Sequence, residues 1–145
     1  MKFSLAKAGF HEAYQLSQAI PEFSNGLYGS EEYKKRLGSG SLVLIASYQQ
    51  QPVGFKAGYP RGDSGRFYSW MGAVLPDFRR RGVARILAEA QESWAKDQGY
   101  QTIWFKTRNR NRAMIMFALS RDFLITGVQQ KGHPKEYRVI MEKEL

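Results

Sequence analysis

The most restrictive feature of this sequence is a short basic loop that joins a strand-like run to a long amphipathic helix. The run Phe67–Leu75 is rich in aromatic and apolar side chains, and Pro76 ends it because proline cannot donate a hydrogen bond to a neighbouring strand. From Gly82 to Gln98, apolar side chains recur three and four residues apart, which predicts a helix with one buried face. This succession predicts an α/β fold in which the helix packs on a sheet.

The loop Arg79-Arg80-Arg81-Gly82-Val83-Ala84 has the chemistry of an anion-binding site. Backbone N–H groups at a helix N-terminus are unpaired, and the positive end of the helix dipole lies there. Gly82 would let the backbone approach a phosphate closely, Ala84 would keep the first turn slim, and the arginines would add charge-assisted hydrogen bonds. The spacing fits none of the phosphate motifs built on several glycines, so an ordinary helix start with solvated arginines remains an alternative.

The periodicity of the rest of the chain predicts seven strands and four helices, with a loop from Glu22 to Ser30. The predicted strands are Phe3–Ala6, Leu42–Tyr48, Val53–Tyr59, Phe67–Leu75, Gln101–Thr107, Phe123–Gln130 and Tyr137–Glu142, and the predicted helices are His11–Ile20, Glu31–Leu37, Gly82–Gln98 and Arg112–Arg121. Their order predicts an α/β fold of the α+β sandwich type, with a mixed, mostly antiparallel sheet of about seven strands flanked by helices. We expect residues 1–145 to form a single domain.

Composition narrows the classes of partner. The chain carries 22 Lys and Arg against 13 Asp and Glu, and its net charge of +9 favours polyanions such as nucleic acid, acidic membranes or polyphosphate cofactors. Its basic residues concentrate at 79–81 and 106–112. Without cysteine, and with two distant histidines, the sequence predicts no disulfide and no metal site. No apolar run approaches the roughly 20 residues of a membrane helix, so we expect a cytoplasmic protein without membrane contact.

The loop and its flanks resemble the signature of the GNAT superfamily of acyl-CoA-dependent N-acetyltransferases. In that signature a strand ending in Val-x-Pro precedes Arg/Gln-x-x-Gly-x-Gly/Ala, and Arg79, Gly82 and Ala84 occupy the three defining positions. The family also often shows an Asn before a helix that is followed by Gly-Phe, and Asn111 and Phe123 stand at matching positions. The resemblance covers roughly residues 42–123 and is thin before them.

The resemblance implies acetyl-CoA as a co-substrate and no metal. In the family the loop wraps the pyrophosphate, and the strand before it, here near Ala73–Leu75, leaves its neighbour and pairs with the pantetheine arm. The thioester then lies between the separated strands. The cofactor-binding residues implied in this chain are Val74, Leu75, Arg79, Arg80, Arg81, Gly82, Val83, Ala84 and Asn111. The implied reaction is acetyl transfer to a primary amine by direct attack in a ternary complex, and the resemblance is compatible with a homodimer.

Two departures from the family pattern leave the catalytic residues unassigned. Asp122 stands where the family usually has Gly, and Ala118 stands where many members place the Tyr that protonates the departing thiolate. The fourth and fifth strands also carry no carboxylate to accept the proton of the attacking amine. Glu22 and His133 are candidate bases, and Tyr137 is a candidate acid.

The acceptor site and two alternative functions stay open. Glu22, Tyr28 and Tyr59 are the candidate acceptor-binding residues, and they would form an aromatic, mildly acidic site for an amine. One alternative is a GNAT-fold acyl-CoA-binding protein with weak or no catalysis, since the usual Tyr and carboxylates are missing. The other is a basic nucleic-acid-binding module that uses residues 106–112. The sequence shows no helix-turn-helix, zinc-knuckle or RNA-binding aromatic signature, so no nucleic-acid partner is expected.

Overall fold

A mixed sheet of seven strands forms the centre of the computed structural model, which describes residues 1–23, 26 and 28–145. The strands lie in the order β1-β2-β3-β4-β5-β7-β6, and every neighbouring pair is antiparallel except β4 and β5, which are parallel. The strands are β1 Ser4–Lys7, β2 Leu42–Tyr48, β3 Gln51–Pro60, β4 Arg66–Val74, β5 Thr102–Arg108, β6 Leu124–Gln129 and β7 Arg138–Glu144. The predicted sheet and fold class are confirmed.

Helices cover both faces of this sheet. The α-helices are α1 Phe10–Ser17, α2 Ser30–Arg36, α3 Val83–Asp97 and α4 Arg112–Ser120, and short 3₁₀ helices occupy Pro21–Phe23, Pro76–Phe78 and Pro134–Glu136. A Cβ atom on Gly54 of β3 would meet Val83 and Leu87, so one face carries α3. On the opposite face, the Tyr33 ring of α2 lies 4.9 Å from the Trp70 ring of β4.

The first helix and the loop after it differ from the sequence prediction. The helix was expected to reach Ile20, which is buried, but after Ser17 the backbone tightens into bonds between residues three apart. Apolar periodicity does not distinguish an α-helix from this tighter backbone, because both bury the Ile20 side chain. Of the predicted loop, Glu22 and Phe23 belong to a 3₁₀ helix and Ser30 begins α2, while residues 24, 25 and 27 lie outside the described residues.

A bulge in β4 separates this strand from β5. Ala57 pairs with Met71 and the next residue of β3, Gly58, pairs with Ser69, so Trp70 has no partner in β3. An extra residue of this kind bends its strand and increases the local twist. The pairing of β4 with β5 accordingly ends at Tyr68 and Trp104, which places the fork earlier in the strand than the sequence suggested. The rest of β4 leaves β5, while β5 stays paired with β7 along its whole length.

Candidate functional site

The fork between β4 and β5 opens into a cleft of about 550 Å³. Its walls are residues 69–74 of β4, residues 105–107 of β5, the start of α3 and one face of α4. The volume falls within the roughly 300–1,000 Å³ of most ligand sites in proteins. Because no strand among the described residues pairs with this side of β4 beyond Tyr68, its backbone can offer hydrogen bonds to a ligand.

The basic loop lies at the end of the cleft where α3 begins. Gly82 precedes the helix with φ of 87° and Arg80 has φ of 61°, so two residues of the loop adopt a left-handed backbone conformation. No side chain caps α3 and no acidic residue lies in its first turn. The first N–H groups of the helix have no intrahelical acceptor, and a Cβ on Gly82 would meet nothing within 4 Å. The loop therefore combines unpaired donors, a helix dipole and open access, which suits a phosphate group.

Arg79 and Glu22 form an ion pair at the edge of the cleft. The guanidinium donates two hydrogen bonds of 2.8 Å to the Glu22 carboxylate, and its Nε donates to the Val74 carbonyl at 2.9 Å. The hydrogen bonds from Arg79 lower the pKa of Glu22, and the same pairing raises the pKa of Arg79. Glu22 is consequently a weaker base than a free carboxylate.

Asn111 stands at the N-cap position of α4, but its side chain does not cap the helix. Its amide Nδ2 instead donates to the hydroxyl of Thr107, a buried residue of β5, at 3.1 Å. Both residues line the cleft. This bond fixes the start of α4 against the diverging end of β5.

An aromatic cluster backs the cleft on the face that carries α2. Trp70, which lines the cleft, has the Tyr28 ring at 5.3 Å and the Tyr59 ring at 6.3 Å. Arg36 lies 4.9 Å from the Trp70 ring and donates to the Tyr59 hydroxyl at 2.7 Å. Tyr28 and Tyr59 thus lie behind Trp70 instead of lining the cleft themselves.

Positive charge gathers beside β5 on this same face. Burial is the main cause that lowers the pKa of Lys106, and the charges of Arg61, Arg138 and Lys131 lower it further. Arg61 lies 4.7 Å from the Tyr68 ring. Within the described part of the chain, none of these four cations pairs with a carboxylate, whereas Glu22 is paired with Arg79. The mildly acidic acceptor site around Glu22, Tyr28 and Tyr59 stays a prediction, and the cations beside β5 add positive charge to the same face.

Lys56 is a cleft residue that the sequence reasoning missed. It lies in β3 between Leu44 of β2 and Gly72 of β4, and it also lines a pocket of about 20 Å³ between the sheet, α3 and α4. Burial lowers the pKa of Lys56 to about 8, with Glu92 opposing this effect and Arg121 adding to it. A single lysine inside the apolar run Val53–Tyr59 was the signal that could have identified it.

The remaining candidates lie elsewhere. His133 Nδ1 accepts a hydrogen bond from the backbone of Lys135, and neither His133 nor Tyr137 lines the cleft. Ala118 lines the small pocket beside Lys56. Asp122 takes φ of 72°, a left-handed conformation that Asp tolerates better than most residues. Asp122 thus allows the turn before Phe123 to form although it replaces the usual glycine.

A model of the acetyltransferase (GNAT) family matches residues 10–123. The chain belongs to the GNAT acetyltransferase family. The fold and the family that the sequence predicted are thereby confirmed, and acetyl transfer is the chemistry of this family. No curated protein matches the chain significantly.

Solved structures of this family share the fold at low sequence identity. The ribosomal-protein-S18-alanine N-acetyltransferase from Escherichia coli has a TM-score of 0.85 at 19% identity, with 99% of this chain and 94% of that chain covered. The PaiA N-acetyltransferase from Thermoplasma acidophilum, solved with coenzyme A, has a TM-score of 0.76 at 15% identity with both chains fully covered. A GNAT acetyltransferase from Elizabethkingia anophelis, solved with acetyl-CoA, scores 0.75 at 16% identity, with 99% of this chain and 98% of that chain covered.

Two further properties bear on membrane and metal binding. Among residues 1–23, 26 and 28–145, every helix is too short or too polar to span a lipid bilayer. The same residues include no group of three or more His, Asp or Glu side chains placed to hold a metal ion.

Proposed function

We propose that this protein transfers an acetyl group from acetyl-CoA to a primary amine by direct attack in a ternary complex. The observation that carries the proposal is the coincidence of two features in one cleft. A strand edge that no strand of the described residues covers forms one wall. At its end lie Arg79 and the start of α3, whose first N–H groups have no intrahelical acceptor. A linear cofactor with phosphates at one end and amide groups along its arm needs both.

The residues of this cleft fit acetyl-CoA. The loop 79–84 would bind its phosphates, and Asn111 would contact the cofactor from the start of α4. The free edge of β4, including Val74, would hydrogen-bond its amide-containing arm. Leu75, the next residue, already donates its N–H to the Val53 carbonyl and accepts from the Phe78 N–H, so its backbone is not available to this arm. Gly82 supports this fit because its open side leaves room for a phosphate against the backbone. Bound acetyl-CoA supplies an activated acyl group whose thiolate is a good leaving group.

The acceptor amine must lose its proton before it attacks, because only the neutral form carries a free electron pair. The group formed by Arg61, Lys106, Lys131 and Arg138 favours this state, since nearby cations disfavour a further ammonium ion and lower its pKa. The same cations would attract a carboxylate or phosphate elsewhere on the acceptor. We therefore infer a primary amine that also carries an acidic group.

Calorimetric titration with acetyl-CoA, with CoA and ATP as controls, tests cofactor binding. We expect micromolar affinity and a preference for acetyl-CoA. A folded protein that binds no acetyl-CoA but binds DNA or RNA in a salt-sensitive manner would overturn the proposal in favour of the nucleic-acid alternative.

Thiol release in the presence of paired amines, alike except for a carboxylate, then tests the acceptor. We expect a lower KM for the acidic member of each pair. Binding of acetyl-CoA without turnover on any amine would instead indicate a cofactor-binding protein without catalysis. Cytoplasmic location, a single domain and a homodimer stay predictions.

A further inference from the structure

Lys56 is a half-buried cation that lines the cleft, and the proposed acetyl transfer gives it no role so far. Gly54, two residues earlier in β3, faces Val83 and Leu87 of α3, and side chains alternate along a strand. Lys56 therefore points to the face that carries α3 and α4, whereas Lys106 lies on the opposite face. The basic loop leads directly into α3. Lys56 therefore lies on the same face of the sheet as the proposed phosphate site.

The surroundings of Lys56 contain few charges. Glu92 approaches from α3, but it is already bonded to Arg121 at 2.8 Å and to Lys143 at 2.6 Å. Arg121, at the end of α4, is the second charged group. The flanking residues of β2 and β4, Leu44 and Gly72, are uncharged. Within the described residues, Lys56 makes no hydrogen bond or ion pair of its own, which leaves its ammonium group available to a ligand.

Other titratable side chains of the cleft are less suited to give up a proton near neutral pH. Glu22 is held as a carboxylate by Arg79, and the guanidinium of Arg79 does not deprotonate in proteins. Lys106 lies among other cations on the face that we assign to the acceptor. Beside Lys56, α4 presents Phe117 and Ala118, which carry no proton to donate.

We propose that the Lys56 ammonium group donates the proton that the departing CoA thiolate takes up, an inference that rests on the proposed acetyl transfer. The amine nitrogen forms a bond to the thioester carbonyl carbon, and the carbon–sulfur bond breaks. The sulfur leaves with the electron pair and takes a proton from Lys56 Nζ, which becomes a neutral amine. The proton lost by the attacking nitrogen passes to solvent, and Lys56 regains one from solvent.

The acidity of the two partners supports this transfer. The pKa of Lys56 is about 8, and an ordinary thiol has a pKa of about 8.5. Proton transfer between groups of such similar acidity has little thermodynamic cost. An unperturbed lysine, with a pKa of about 10.4, would be a weaker acid by two orders of magnitude.

The kinetic test measures kcat against pH for wild type, Lys56→Met and Lys56→Arg, at saturating acetyl-CoA and a reactive amine. We expect wild-type kcat to fall as the pH rises through the pKa of Lys56, because only the ammonium form donates. In Lys56→Met we expect kcat to drop on the order of 10²-fold and this alkaline limb to disappear. Lys56→Arg keeps the charge but releases no proton, so we expect its kcat to be as low as that of Lys56→Met. Lys96→Met, which removes an exposed lysine outside the cleft, is the matched control.

A second readout does not depend on turnover. The thiol of CoA bound to each variant can be titrated by the ultraviolet absorbance of its thiolate. An ammonium group beside the sulfur favours the thiolate, so the thiol pKa of bound CoA should be higher in Lys56→Met than in wild type. Lys106→Met should instead raise the acceptor KM and leave this thiol pKa unchanged.

The outcomes separate this inference from the function on which it rests. If wild type neither binds acetyl-CoA nor releases thiol, the proposed function fails. If wild type is active while Lys56→Met keeps both kcat and the alkaline limb, only the role of Lys56 is overturned. Full activity in Lys56→Arg would also overturn it, because charge without a transferable proton would then suffice.

Discussion

Backbone conformation at single residues determines how the proposed phosphate loop is built. Gly82 and Gly99, at the two ends of α3, have φ of 87° and 93°, and a Cβ on either would meet nothing within 4 Å. Both positions need glycine for the same reason, since a side chain at positive φ costs about 1–2 kcal/mol. They differ in their place relative to the cleft, which makes Gly99 a matched control for Gly82.

Gly82→Glu should abolish acetyl-CoA binding, because it puts bulk and negative charge where a phosphate is expected. Gly99→Glu carries the same backbone strain and the same added charge, and it should bind as wild type does. Both should lose roughly 1–2 kcal/mol of unfolding free energy in denaturant titrations. Normal calorimetric binding by a folded Gly82→Glu protein would show that this loop does not hold the cofactor.

Lys56→Met should stabilise the fold, because it removes a partly buried charge that pairs with no side chain among the described residues. The pKa of Lys56 is lowered to about 8, so folding is opposed most below pH 8, where both the folded and the unfolded chain carry the charge. We expect a gain of roughly 1–3 kcal/mol in unfolding free energy at neutral pH. The gain should shrink as the pH rises from 8 towards 10.5, where the folded chain has lost this proton. A pH-independent difference would assign the effect to packing instead.

At the scale of elements, the fork between β4 and β5 depends on a glycine in the neighbouring strand. Gly58 of β3 lies at the bulge, and a Cβ there would meet the Tyr68 carbonyl oxygen at 2.5 Å and the Phe67 ring at 2.6 Å. No side chain fits at this position unless the two strands move apart. The close approach of β3 and β4 therefore sets where β4 bends away from β5.

Gly58→Ala should destabilise the protein by about 1–3 kcal/mol, the usual cost of overpacking a core. It should also weaken acetyl-CoA binding, since the bulge shapes the cleft. Gly38→Ala is a suitable comparison, because a Cβ there meets nothing within 4 Å and φ is not positive. That variant should stay within about 0.5 kcal/mol of wild type. Equal stability of the two variants in urea titrations would refute the importance of this contact.

Sequence periodicity predicted most elements because each depends on local apolar spacing. It located the helix α3 and the loop before it, since a strand end, arginines and a glycine occur together at 74–84. It did not place the fork, because the bulge arises from the close packing of Gly58 against β4, which no local pattern encodes. Lys56 was missed for a similar reason, since its surroundings come from α3 and α4, which are distant in sequence.

For the molecule as a whole, the net charge of +9 is compatible with either a nucleotide cofactor or a nucleic acid. The two differ in where binding energy would arise. Nucleic acid would contact exposed cations, and salt weakens such binding steeply. Acetyl-CoA would also place its arm in a cleft between β4 and β5, where contacts are shielded from solvent ions. The response to salt therefore distinguishes them.

Acetyl-CoA at a hundredfold excess over its Kd should stabilise the native protein by about 2.7 kcal/mol, because only the folded chain forms the cleft. For a protein of this size, that corresponds to a rise of roughly 5–10 °C in Tm. In about 0.5 M salt the Debye length falls below roughly 8 Å, so we expect this rise to shrink without vanishing. Any rise caused by duplex DNA should vanish, since it would depend on exposed charge alone. The measurement is thermal denaturation of wild type and Gly82→Glu, each at low salt and in about 0.5 M salt. An acetyl-CoA effect that disappears in salt, or that persists in Gly82→Glu, would place the ligand on the charged surface instead of in the cleft.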